Sequence, residues 1–210
     1  MLSEYSAIDK SPPLVSVDAE SSERRTGQRH MSILRIGKLI TARGQELCLI
    51  RNISVGGLMA HIYSGHEMDE HVAIELKSGH VVSGRIVWVR EKLIGVEFDS
   101  KIDVFGVLAN PSGENGSHAA RAPRLDIRCH ARARVGAHYH RIEVCDISQG
   151  GAKILPGDIA PVGAEIIIMI EGFAPWPGIV RWQEDGRAGV AFRTPLPLNQ
   201  FAIWATLPHS

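Results

Sequence analysis

Two nine-residue segments, NISVGGLMA starting at Asn52 and DISQGGAKI starting at Asp146, stand 94 positions apart (52 to 146). The same offset carries Gly84, Trp88, Gly95 and Phe98 onto Gly178, Trp182, Gly189 and Phe192, within GRIVW and GVEF in one half and GIVRW and GVAF in the other. Agreement at so many spaced positions marks a duplication. The period is too long for a solenoid, whose units run to roughly 20–45 residues. It suits two small, separately closed domains of about 100 residues each.

The boundaries follow from composition. Residues 1–22 mix Ser, Pro and acidic residues without sustained periodicity, and such a stretch buries too little surface to offset its ordering entropy; a flexible tail is expected. A Gly-, Ser- and Asn-rich stretch over 109–119, containing NPSGENGSHA, reads as a linker. The first domain is then expected over 23–108 and the second over 120–210.

Each half is built from short Ile-, Val- and aromatic-rich runs broken by Gly turns, such as Leu47 to Ile50, Val81 to Val89, Ile94 to Phe98 and Ile166 to Ile170. Arg128, His130, Arg132 and Arg134 alternate with Ile127, Cys129, Ala131, Ala133 and Val135, which places polar groups on one face of a strand and apolar groups on the other. Short helices are expected at Lys101 to Ala109 and Leu198 to Thr206. Trp88 and Trp182, matched by the repeat, are expected as core anchors.

Charge narrows the function classes. The 23 Lys and Arg residues cancel 23 Asp and Glu, so no whole-molecule field draws the protein to nucleic acid or to an anionic membrane. Apolar runs such as Ile166 to Ile170 fall far short of the roughly 18 residues of a spanning helix, and no secretory signal is legible; a cytoplasmic location is expected. Cys48, Cys129 and Cys145 show no C-x-x-C spacing and read as reduced thiols. No cofactor and no metal are expected, because the His138, His140 and cysteine spacings match no compact zinc motif. No nucleophile elbow, H-E-x-x-H, P-loop or dinucleotide fingerprint is present, which argues against an enzyme.

Arg25 and Arg29 form R-x-x-x-R within ERRTGQR, and Asn52, Ser54 and Gly57 follow as N-x-S-x-x-G, with 23 positions from Arg29 to Asn52. Together with the later W-x6-G-V-x-F pattern and the duplication, these residues resemble the PilZ domain family over nearly all of residues 23–207. The resemblance implies an all-β chain: two tandem six-stranded antiparallel barrels, each with a short C-terminal helix. It also implies cyclic di-GMP as ligand, bound between the arginine loop and one barrel face, and a role as receptor in motility, exopolysaccharide or biofilm control through a protein partner.

The chemistry of the implied ligand fits these residue types. An arginine fork matches both a phosphate and the O6/N7 edge of guanine, and its flat face stacks on a purine. Arg25 and Arg29 are therefore expected to clamp cyclic di-GMP, and to become ordered in doing so. Asn52 and Ser54, two apart, are expected to share a strand face and read a base edge, with Gly57 permitting close approach.

The second half keeps Asp146, Ser148 and Gly151 but alters the arginines. Arg124 aligns with Arg29 across one gap and Ala120 then stands at the Arg25 position. Loss of one bidentate arginine costs roughly 1–3 kcal/mol, so any second site at Arg124, Asp146, Ser148 and Gly151 is expected to be weak. Two other functions compete: a degenerate tandem protein that acts as an adaptor without nucleotide, and nucleic-acid binding by the arginines between 121 and 141, for which a solvated strand face is the simpler account.

Overall fold

The computed structural model describes residues 31–109 and 122–209. The tail, Arg25, Arg29 and most of the linker lie outside the described residues. In the first half, β1 (Met31–Thr41), β2 (Gly44–Ile53), β3 (Gly57–His61), β4 (His71–Glu75), β5 (Val81–Arg90) and β6 (Leu93–Phe98) close into a barrel in the order β1-β2-β3-β6-β5-β4. A short helix α1 (Val104–Leu108) follows, started by Asp103, whose carboxylate accepts from the Phe105 N–H at 3.1 Å.

The second half repeats the plan. Strands β8 (Cys129–Val135), β9 (His138–Ser148), β10 (Gly151–Leu155), β11 (Glu165–Ile170), β12 (Trp176–Glu184) and β13 (Arg187–Phe192) form a ring closed by pairing of β9 with β10. A two-residue strand β7 (Arg124–Leu125) adds to β9, and helix α2 (Leu198–Ala205) ends the unit. Every pairing is antiparallel. None of the described helices is long and apolar enough to cross a membrane.

The offset of the sequence repeat survives in the hydrogen-bond register. Arg51 is skipped where β2 pairs with β3, and Cys145 is skipped where β9 pairs with β10. Val87 and Arg181 are skipped in the same way opposite β6 and β13. A bulge locally turns a strand and re-aims the side chain it leaves unpaired. The one difference in plan lies at the start: β1 runs through an irregularity at residues 33–34, where the second half breaks into β7 and β8.

Each barrel interior is filled by alternate strand residues. Leu39, Cys48, Ile50, Ile53, Ile74, Ile86 and Ile94 are fully buried in the first, and Val144, Ile147 and Ile154 in the second, each large aliphatic worth roughly 1.5–3 kcal/mol of burial. Helices plug the ends, α1 with Val104 and Leu108, α2 with Phe201, Ala202 and Trp204. Burial drives the Cys48 thiol up to about 12 and the Cys129 thiol up to about 11, so neither is a nucleophile at neutral pH.

The two repeat tryptophans are not core anchors. Trp88 is half-buried and Trp182 is 40% exposed. Each indole lies outside its barrel, flat over a glycine: a Cβ on Gly95 would stand 2.0 Å from Trp88 Nε1, and one on Gly189 the same distance from Trp182 Nε1. The W-x6-G pattern therefore records a lock between neighbouring strands on the outer face.

The barrels touch along β2. Leu47 points out of its own barrel and is buried among the hydrophobic residues of the second, with Ile36 and Tyr63 packed beside it. Gln45 and Asp126 exchange two hydrogen bonds, at 3.1 and 3.2 Å, and the Tyr63 hydroxyl donates to Asn199 Oδ1 at 3.1 Å.

Candidate functional site

A cleft of about 580 Å³ opens on the outer face of the first barrel, lined among others by Asn52, Ser54, Gly57, Met59, Trp88 and Lys101. That size is ordinary for a site holding a small organic ligand. Ser54 does not stand beside Asn52 on a strand face; it follows β2, is buried, and its hydroxyl donates to the Gly57 carbonyl at 3.1 Å while the Ser54 N–H donates to the same oxygen at 2.8 Å. It builds the turn. Gly57 is required by the barrel itself, since a Cβ there would stand 2.4 Å from the Val96 carbonyl oxygen.

Asn52 differs from its neighbours in the motif. It is half-buried on β2, lines the cleft, and its side-chain amide has no hydrogen-bond partner among the described residues. Its donor and acceptor are available to a ligand edge. Trp88 adds a partly exposed indole to the same wall, with the Arg90 guanidinium 5.6 Å from its ring centre. The charge on the wall is mixed: Lys101 against Glu97 and Asp99, with Asp99 held by His71 at 2.8 Å. Among the described lining residues one cation, Lys101, stands against two carboxylates, too little to neutralise two phosphates.

The matching place in the second barrel is occupied by the protein's own charges. Asp146 is buried, and its carboxylate accepts from Arg124 Nη1 at 2.5 Å and pairs with Lys153 Nζ at 2.6 Å. The turn is the same, with the Ser148 hydroxyl donating to the Gly151 carbonyl at 3.2 Å. A Cβ on Gly151 would stand 2.2 Å from the Val190 carbonyl oxygen, the counterpart of the Gly57 contact. Leu125 pairs with Ile147 as Met31 pairs with Ile53.

The PilZ domain model matches residues 23–104 and 119–205, most of the chain. The chain belongs to the PilZ domain family. No curated protein matches. Among solved structures, that of Borreliella burgdorferi PlzA in complex with c-di-GMP is similar at 15% identity and a TM-score of 0.36, covering 86% of this chain and 93% of PlzA. The Bacillus subtilis inhibitor of motility, MotI/DgrA, is similar at 14% identity and 0.33, covering 83% and 95%. Escherichia coli YcgR in complex with c-di-GMP is similar at 13% identity and 0.32, covering 82% and 81%.

Within this PilZ chain the structure brings Asn52, Ser54 and Gly57 to one cleft and Arg124, Asp146, Ser148 and Gly151 to one surface. Sequence reasoning missed the place of Trp88 and Lys101 on the cleft wall. The signal was present in the repeat, because Trp88 sits one residue past the bulge that turns β5 outward. It also missed a cluster at one end of the first barrel: His66 contacts Glu46 on one ring nitrogen and Glu70 on the other, at 3.0 Å for Glu70, with Arg43 Nη2 3.1 Å from Glu70. Among the described residues no group of His, Cys, Asp and Glu has the arrangement of a metal site.

Proposed function

We propose that the protein is a non-enzymatic receptor for cyclic di-GMP and that its first barrel, residues 23–108, holds the nucleotide. The observation that carries this is the cleft in which Asn52 presents an amide that no described residue engages, beside the Trp88 indole, at the foot of the strand that follows Arg25 and Arg29 in sequence. Chain connectivity supports it: Arg29 precedes Met31 by two residues, and Met31 pairs with Ile53 next to Asn52. Two residues of chain span at most about 7 Å. That short connection supports a role for Arg29 at the cleft.

In this reading Asn52 reads a guanine edge and Trp88 offers a face to a base. Arg25 and Arg29 supply the counter-charge for the phosphates, which the mixed wall of Lys101, Glu97 and Asp99 lacks. Ser54 and Gly57 hold the turn that presents Asn52. The second barrel, residues 120–210, serves as the scaffold on which loop ordering is felt, and its signal passes to a protein partner in the cytoplasm. Binding there is weak or nil, because Asp146 already satisfies its lone pairs with Arg124 and Lys153.

Calorimetric titration of the full chain with cyclic di-GMP tests this. The expected result is one nucleotide-binding event on the first barrel, about −8 kcal/mol or better, lost in the Arg25→Ala, Arg29→Ala double variant. Absence of heat with the wild type, or heat unchanged in the double variant, overturns it and leaves a nucleotide-free adaptor.

A further inference from the structure

A second, smaller cleft of about 290 Å³ lies between the barrels, walled by Arg51, His61, Tyr63 and Lys92 of the first and by Asn199 and Ile203 of the second. Arg51 is the bulge residue of β2, and the bulge aims its guanidinium out of the ladder. Arg51 and Lys92 are exposed, and neither makes an ion pair with a described residue. Two like charges brought to one concave surface without a counter-charge repel each other, and an anion relieves both.

His61 adds an independent sign. Its ring lines the cleft and its Nδ1 is buried with no hydrogen-bond partner among the described residues, an uncommon state for a polar atom. Tyr63 stands edge-on to the His61 ring at 4.9 Å and ties its hydroxyl to Asn199 across the barrel junction. None of this is inherited from the shared scaffold. At the 94-residue offset Arg51, His61, Tyr63 and Lys92 correspond to Cys145, Leu155, Gly157 and Gly186.

We propose that this cleft binds a phosphate dianion, free or as the end of a phosphomonoester, with Arg51 and Lys92 as its counter-charges and His61 and the Asn199 amide as hydrogen-bond donors. Its volume suits a phosphoryl group with a small substituent. A bound phosphate bridges the two barrels, because its partners come from both. The site is separate from the Asn52 cleft and its occupancy does not depend on nucleotide.

The ring of His61 reports occupancy. Burial first, then Lys92 and Arg51, hold its pKa below the ordinary histidine value, and a dianion offsets the two cationic contributions. The test is an NMR titration of the full chain with inorganic phosphate at constant ionic strength, following the His61 ring resonances, with phenyl phosphate as a parallel arm. Saturable shifts with a Kd on the order of 1 mM and a rise in the His61 pKa are expected. Tighter binding of phenyl phosphate assigns the site to monoesters, and tighter binding of phosphate assigns it to the free ion.

In the Arg51→Gln, Lys92→Gln variant the Kd should rise at least tenfold. Both side chains are exposed, so dispersion of the remaining spectrum serves as the folding control. Asn52→Ala should leave phosphate binding unchanged. Shifts that grow linearly and are matched by chloride, shifts that persist in the double variant, or displacement of phosphate by cyclic di-GMP would each overturn the proposal.

Discussion

The same turn is built twice, and among the described residues only one copy leaves its leading polar residue without a partner. In the first barrel Asn52 faces a cleft, its amide unengaged by any described residue; in the second, Asp146 is gripped by Arg124 and Lys153. Ser and Gly of the motif do the same work in both, a hydroxyl bonded to the glycine carbonyl and a strand contact that admits no Cβ. The difference teaches that D/N-x-S-x-x-G is first a folding device. In the proposed reading recognition falls to its first residue, which in the second copy is a carboxylate paired with the chain's own Arg124 and Lys153.

The largest test of that contrast lies away from the motif. His66, with a side chain only 2% exposed, is held between Glu46 and Glu70, while the second barrel has Ala160 and Ala164 at the positions of His66 and Glu70. His66→Ala strands a buried Glu46 and should cost about 3–5 kcal/mol, read as a lower urea midpoint. The hydrogen bond to Glu46, acting against burial, raises the His66 pKa above its ordinary 6.5. The stabilisation is then complete below about pH 6.5 and is lost as pH rises through the folded-state pKa. Trp88 is the only tryptophan of the first half, so fluorescence of wild type against Trp88→Phe assigns the pH-dependent transition to that barrel. A midpoint that does not fall from pH 6 to pH 8 would count against the His66 cluster.

Next in size is the motif's leading residue. Asp146→Ala removes two charge-assisted contacts and should cost about 1.5–3 kcal/mol in chemical denaturation, whereas Asn52→Ala should change stability by less than about 0.5 kcal/mol. Affinity should move the other way, with Asn52→Ala weakening cyclic di-GMP by about tenfold to a hundredfold in calorimetry and Asp146→Ala leaving it unchanged. Equal stability losses from the two variants would erase the distinction between the copies.

The smallest effect tests what the copies share. Ser54→Ala and Ser148→Ala should each cost about 1 kcal/mol, since each removes one turn hydrogen bond, and the two should agree within about 0.5 kcal/mol. A loss of nucleotide affinity in Ser54→Ala beyond that would mean its hydroxyl also touches the ligand.

The barrel pair was legible in the sequence because a duplication displays its invariants. Glycines at Gly57, Gly95, Gly151 and Gly189 recur for steric reasons that hold in both copies. Harder to see was whether a repeated residue points in or out. Trp88 and Trp182 look like core by size, yet the bulges before them turn the strands and lay the indoles on the outer surface. The Asp146 clamp was hidden because Lys153 reaches it across a strand pair, and the His66 cluster because its partners stand 20 and 4 residues away. Leu47-Cys48-Leu49-Ile50 did carry an unread signal, since an unbroken apolar run implies a strand covered on both faces.

Leu47 has an evolutionary consequence. A duplicated domain whose copies fold alone is free to lose either one. Here a strand of the first barrel buries an outward side chain in the hydrophobic cluster of its twin, so deleting the second copy would expose an apolar surface on the first. A single barrel cut from this chain would carry an uncovered apolar patch at Leu47, so the pair, and not the single barrel, is the unit whose packing is complete.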